Sequence, residues 1–457
     1  MSSEEVVSVK LAELVSVIES EKIPSAMVSV TKNITLDTIG CALAAAKSSY
    51  TESLLRANHQ GGSGNIPIWG FQDSTDIYSA ALINGTSAHG EDFDSSFEGC
   101  PVHSGVVITP AILSLGHMMN ATGEDAIRAL SIGHEVMCRL GQLTGTSVHR
   151  RGFHPTSVLG TLASTMACSA LLRLEPKEMV NALGIAASMC SGIIEYLSDG
   201  SSTKRLHAGW AAQSGIRASL LAQAGFTGPE KSIDGDHGVF FAFSSGANQN
   251  FEILTEDFGN KWISINTAIK AYPSGTMTHP FIDCCLQASK EINLNEVDKI
   301  ICDVGEGTVH RLWEPLKLKQ NPPNEYAAKF STPFCMALAL HHNKVNLNSF
   351  SELYLSDREI LNTANKIKYK INPDDPYPKE YIAKILFRLS SGQIKEYNKH
   401  CLKGGRHEPL SKPEIIAKFQ DNLSFSSLNL SNANKLIDQI YNLEELRDIN
   451  QLNLSLS

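Results

Sequence analysis

Runs of small residues at helical spacing constrain this chain most. From Val158 to Leu172, Ala182 to Ser191 and Ala208 to Ala224, Ala, Gly and Ser occupy every face of an expected helix. Small residues on all sides let helix backbones approach closely, which suits a buried central position better than a surface one. Helical spacing starts earlier, at Leu11-Leu14-Ile18 and Leu36-Ile39-Leu43, and recurs at Ala126-Ile127-Leu130. No repeat of fixed period accompanies it, so the sequence predicts a compact helical body rather than a solenoid.

The pattern changes near Ile263. One helix is expected from Met277 to Ile292, and another contains Phe334 to Leu340. Val297–Val304 and the alternating Lys366–Ile371 read as strands. Tyr381–Leu389 and Gln393–Tyr397, joined at Ser390-Ser391-Gly392, read as a hairpin. The tail returns to helix over Pro413–Leu423 and Ala433–Ile449, then frays from Asn450 to Ser457. The expected fold class is mainly α with α+β. Residues 1–265 form a helical domain, 266–400 a smaller α+β domain, and 401–457 a helical return to the first.

A chain of 457 residues exceeds the usual size of one core, which agrees with two domains. The net charge of -9 argues against nucleic acid as a general partner, since phosphate binding needs a basic field. The start, Met1-Ser2-Ser3-Glu4-Glu5, is acidic and unlike a secretory leader. No apolar run suits a bilayer span, so no membrane partner is expected. Ten cysteines without CxxC spacing lie mostly in apolar runs and imply a reducing, cytoplasmic setting. Gly61-Gly62-Ser63-Gly64 lacks the lysine and spacing of phosphate-binding loops and reads as a plain turn.

Chemistry concentrates in four segments. His89-Gly90-Glu91-Asp92-Phe93-Asp94-Ser95-Ser96, followed by His103-Ser104-Gly105, sets acids and imidazoles between two apolar runs. That is how a proton-transfer loop is mounted, although the same acids also suit helix capping. Arg150-Arg151-Gly152-Phe153-His154-Pro155-Thr156-Ser157 opens a helix, with His154 at the N-cap and Pro155 at the first position. Its free N–H groups and nearby arginines suit a carboxylate; a solvated loop is the plainer alternative. Thr203-Lys204-Arg205 feeds a second such helix start. Lys270, Tyr272 and His279 lie near the expected domain boundary, where a cleft or a solvated linker would serve equally.

Taken in order, these segments resemble the MmgE/PrpD family over nearly the whole chain. The resemblance rests also on Gly225-Phe226-Thr227-Gly228, Tyr272-Pro273-Ser274 and Ala328-Lys329-Phe330-Ser331. It implies a large helical domain built from both chain ends, a smaller α+β lid, a homodimer, and no metal or organic cofactor. It implies Asp92, His103, His154 and Lys204 as catalytic residues, with Ser96 and Lys270 in the same pocket. Tyr272, Arg151 and Thr203 are added as substrate-binding candidates. The implied substrate is a small di- or tricarboxylate that loses or gains a proton at carbon next to a carboxylate. A base must then reach that proton, and cations must hold the carboxylates that take up charge.

Departures from the family pattern narrow the activity. Ser95 replaces a usual aspartate, Ser104 follows His103 without the usual proline, and Gly275 replaces a usual cysteine. Arg205 adds a charge beside Lys204. Phe334 stands where the family's cis-aconitate decarboxylases carry a functional tyrosine, which counts against decarboxylation. The expected activity is a cofactor-independent lyase dehydrating a 2-methylcitrate-like hydroxy acid. Alternatives are an epimerase of an iminodisuccinate-like dicarboxylate, a cis-aconitate decarboxylase, and a non-catalytic carboxylate-binding relative.

Overall fold

The computed structural model describes residues 6–58, 62–98, 100, 102–244, 250–426 and 430–454. The acidic start, the first residue of the turn expected at Gly61 and the last three residues of the tail lie outside them. The chain divides into two compact units, Met1–Thr267 with Ser411–Ser457, and Ala268–Leu410. The fold class is mainly α with a small α+β part.

The principal helices of the larger unit are α1 (Ser25–Ala44), α2 (Ile77–His89), α3 (Gly105–Met119), α4 (Gly123–Thr144), α5 (Pro155–Leu171), α6 (Pro176–Ala187), α7 (Thr203–Gln223) and α8 (Lys412–Leu423). Every residue of α5 is buried. Helix α7 packs most extensively against α5 and α2. The small residues make this possible. A Cβ on Gly209 of α7 would fall 2.0 Å from the Leu82 carbonyl oxygen of α2, and one on Gly215 would fall 2.6 Å from the Ser164 carbonyl carbon of α5. Backbone therefore meets backbone at both crossings, as the composition requires.

This contact yields a testable outcome. In a helix, Gly→Ala ordinarily gains about 1 kcal/mol of propensity. At Gly209 the new methyl meets a carbonyl oxygen that cannot swing aside, and overpacking of this kind costs about 1–3 kcal/mol or more. Gly209→Ala is expected to lower the urea midpoint; a raised midpoint would show that the helices separate freely.

The C-terminal return differs from its expectation. The last helix runs over Leu430–Tyr441 and stops eight residues short of Ile449. Tertiary hydrogen bonds claim the following backbone: Gly123 N–H donates to Leu446 O (2.8 Å) and Ile449 N–H to Ala121 O (2.9 Å). Nor does the segment after Asn450 fray within the described residues. Leu452 and Leu454 are buried, and Gly70 N–H donates to Leu454 O at 3.2 Å.

In the smaller unit, β1 (Val297–Val304), β2 (Ile367–Ile371), β3 (Ala383–Leu389) and β4 (Ile394–Lys399) form one sheet in the order β2-β1-β3-β4. β1 runs parallel to β2 and antiparallel to β3, which pairs antiparallel with β4. Gly392, with φ of 86°, closes the β3–β4 hairpin. Ile300, Cys302, Ile385 and Phe387 pack with Phe281, Trp313 and Phe334 from the helical side. The helix expected over Met277–Ile292 is shorter, His279–Ala288, preceded by a 3-10 turn. The unit extends past residue 400 because Ile269 N–H donates to Gly404 O (2.9 Å), holding 401–410 to it.

No disulfide joins any of the ten cysteines, all of which lie among the described residues. Burial pushes the Cys100 and Cys335 thiols up to about 12, so they act as small apolar side chains. Among the described residues, no helix is long and apolar enough to cross a membrane.

Candidate functional site

Four helix ends converge inside the larger unit. His89 is the last residue of α2, His103 stands two residues before α3, and His154 is the N-cap of α5. Lys204 and His207 occupy the start of α7. The close crossing of α2 and α7 sets these ends side by side. All five side chains are buried. The His89 ring lies 4.8 Å from that of His103 and 5.7 Å from that of His154, centroid to centroid.

Asp94 joins two of these imidazoles. Its Oδ2 is 2.8 Å from His103 Nδ1, and both its oxygens are 3.2 Å from His89 Nδ1. His103 Nδ1 also lies 3.0 Å from the Ser95 carbonyl oxygen. Two acceptors facing one ring nitrogen fix its proton there, which leaves His103 Nε2 with its lone pair. Burial works to raise the Asp94 pKa. The two imidazoles outweigh it and hold the carboxyl well below its usual range. Burial pushes His89 down to about 4, against the pull of Asp94.

His89, Asp94 and His103 offer ligand atoms within 4.8 Å of one another and so form a candidate cation cluster. Each Nδ1 already faces the carboxylate, and His103 Nδ1 faces a carbonyl oxygen as well. A proton satisfies that arrangement, since a carbonyl and a carboxylate are both acceptors. The cluster reads as a hydrogen-bonded unit.

Asp92 adopts φ of 55°, a left-handed conformation that costs an aspartate on the order of 1 kcal/mol. The neighbouring contacts hold it there. Lys204 Nζ donates to Asp92 Oδ1 at 2.5 Å, and Arg205 Nε donates to the Gly90 carbonyl at 2.9 Å. From the C-terminal return, Lys418 Nζ of α8 donates to the Phe93 carbonyl and pairs with Asp37, each at 2.6 Å. The charge added by Arg205 is thus spent on the loop, with its guanidinium over the Tyr50 ring at 4.6 Å.

His154 is buried and its backbone N–H donates to Gly192 O at 2.8 Å. As expected, Pro155 takes the first helical position and Thr156 and Ser157 the first turn. Thr156 Oγ1 accepts the His103 backbone N–H at 3.3 Å, tying two site segments together. Burial, reinforced by His89, His207 and Lys204, pushes the His154 imidazole well below its usual range. Burial pushes His207 to about 4 and His134 to about 3. His134 Nδ1 lies 3.0 Å from Ser104 Oγ, so the serine that follows His103 without the usual proline has its own partner.

The signs give a pH dependence. His89, His134, His154 and His207 each bind a proton less readily in the folded protein than in the unfolded chain. The stability they contribute is complete above about pH 6.5 and is lost as the pH falls from there toward about 4. Tm is expected to fall across that window; a Tm that rises on acidification would contradict neutral, buried imidazoles.

Asp92, His103, His154 and Lys204 are therefore gathered, with Ser96 buried in the same loop. Thr203 begins α7 and lines a cavity of about 520 Å³ together with Gly192, Tyr196 and His207. Arg151 is exposed, its guanidinium donating to the Ala242 carbonyl at 3.2 Å. Lys270 and Tyr272 are buried in the smaller unit, where the Tyr272 hydroxyl donates to Asp283 at 2.6 Å. Gly275 there packs against Leu312 and Phe330, leaving little space for a larger side chain. Sequence reasoning did not assign roles to His89, Asp94, His207 or Lys418. For His207 the signal was present: it lies three residues after Lys204 on one helical face.

Two family models match the chain, the MmgE/PrpD N-terminal domain over residues 9–252 and the MmgE/PrpD C-terminal domain over 272–443. Among curated relatives, a cis-aconitate decarboxylase-like protein oryM of Aspergillus oryzae is 24% identical over 98% of this chain and 96% of its own. The cis-aconitate decarboxylase of Mus musculus is 28% identical over 82% of this chain and 77% of its own. That of Aspergillus terreus is 23% identical over 98% and 95%. The buried His–Asp loop, the His154 N-cap and the paired Lys204 thus sit in a chain matched along both halves: it belongs to the MmgE/PrpD family.

Proposed function

We propose that this chain is a cofactor-independent lyase that moves a proton at a carbon next to a carboxylate in a small polycarboxylate. One observation carries the reading: His103 holds its Nδ1 proton between Asp94 and the Ser95 carbonyl, which presents Nε2 for proton transfer. His154 supplies a second buried, uncharged imidazole. Lys204 and the N-termini of α5 and α7 supply positive potential for carboxylates. Asp92 pairs with Lys204 Nζ until a substrate carboxylate takes its place. Lys270, which the family resemblance implies, and Tyr272 are separate substrate-binding candidates in the smaller unit.

Decarboxylation of cis-aconitate is the first activity to test, because several relatives carry that name. Dehydration of a 2-methylcitrate-like acid is the second reading, favoured by Phe334. That side chain is wholly buried in the smaller unit's core and brings no hydroxyl. Product analysis separates them. Carbon dioxide with one fewer carboxylate marks decarboxylation. An unsaturated acid with all carboxylates retained marks dehydration, and an inverted centre marks the epimerase alternative. Ligand-induced stabilisation without turnover of any of these acids would instead indicate a binding protein. The homodimer implied by the family belongs to the same proposal. Light scattering reports the mass.

A further inference from the structure

His154 is buried, yet a proton-transfer residue must exchange its proton with solvent between turnovers. His207 stands where such an exchange would pass. Its Nδ1 lies 3.1 Å from His154 Nδ1, and its side chain lines the 520 Å³ cavity beside Gly192, Ile193, Tyr196, Thr203 and Trp210. The two rings are 5.3 Å apart and tilted by 42°. Tyr196 stands edge-on to both, at 6.1 and 5.8 Å, which limits their rotation. Two imidazole nitrogens at hydrogen-bond distance need one donor and one acceptor. With both rings uncharged near neutrality, one proton sits between them. His89 and Lys204 are the charged or titratable groups that weigh on His207.

We propose that His207 is a relay residue that connects His154 to the open cavity lined by Thr203 and Trp210. The inference rests on the proton-transfer reading above. In the resting pair, His154 carries its proton on Nδ1 and donates it to His207 Nδ1, while His207 carries its own on Nε2. When His154 Nε2 takes a proton from substrate carbon, its Nδ1 proton moves to His207 Nδ1 and the His207 Nε2 proton leaves to water. The reverse sequence brings a solvent proton to carbon. One C–H and two N–H bonds break while two N–H bonds and one O–H bond form, both rings end uncharged in the opposite tautomers, and the reverse sequence, delivering the Nε2 proton to carbon or to a leaving hydroxyl, restores the resting pair.

The test uses the full-length protein in D2O with whichever polycarboxylate the wild type turns over, comparing His207→Ala and His207→Gln. Both variants are expected to lose about a hundredfold in kcat with little change in KM. Free imidazole, which can enter the enlarged cavity, is expected to restore His207→Ala in a saturable way. Glutamine keeps a hydrogen bond to His154 but cannot pass a proton, so His207→Gln stays slow. Wild-type kcat in folded His207→Ala overturns the relay. So does recovery of activity by glutamine alone, which would mark a purely structural hydrogen bond. Should the wild type turn over none of the acids, the lyase reading fails while the relay is still tested by ¹⁵N NMR. A slowly exchanging imidazole N–H that is lost in His207→Ala supports the shared proton, and its absence from the wild type overturns it.

Discussion

His154→Ala is expected to lower kcat by about a hundredfold to ten-thousandfold, the usual contribution of a positioned acid–base residue. The protein should stay folded. The His154 side chain makes no capping hydrogen bond to α5, and the backbone N–H that donates to Gly192 O is kept. Its ring is flanked by other imidazoles and Tyr196, so its loss opens a small polar space rather than a hole in an aliphatic core. Circular dichroism and steady-state kinetics on the same sample check this. Unchanged turnover in a folded variant would remove His154 from the chemistry.

Lys204→Met is expected to act on both stability and activity. It leaves Asp92 buried without its ammonium partner, and breaking such a pair costs about 3–5 kcal/mol. The left-handed Asp92 backbone loses a restraint at the same time. Asp92→Asn combined with Lys204→Met removes both charges and is expected to recover most of the lost stability. It should not recover activity, because no ammonium remains for the substrate carboxylate. Recovery of kcat/KM in the double variant would show that Lys204 serves only to neutralise Asp92.

The small-residue runs at Val158–Leu172 and Ala208–Ala224 made the central helices legible, since only close approach of backbones accounts for so little side-chain volume. The smaller unit's strands were legible from alternation and from the Ser390-Ser391-Gly392 turn. The end of the last helix was not, because the backbone of Leu446 and Ile449 is claimed by Gly123 and Ala121, more than three hundred residues earlier in the chain. In the site, Asp92, His103, His154 and Lys204 were identified from their segments and the family resemblance. Asp94 was visible but ambiguous, as an acid beside a helix start caps more often than it bridges imidazoles. The pinning of Phe93 by Lys418 had no local signal. A lysine in an amphipathic helix reads as solvated until the fold buries it beside Asp37.

The central claim is proton transfer next to a carboxylate. Proton NMR in D2O with the purified chain and 2-methylcitrate, citrate, cis-aconitate and an iminodisuccinate analogue tests it most directly. Deuterium entering a carbon adjacent to a carboxylate in at least one acid, abolished by His154→Ala, is the expected result. A folded protein that leaves every carbon position unlabelled would contradict the claim.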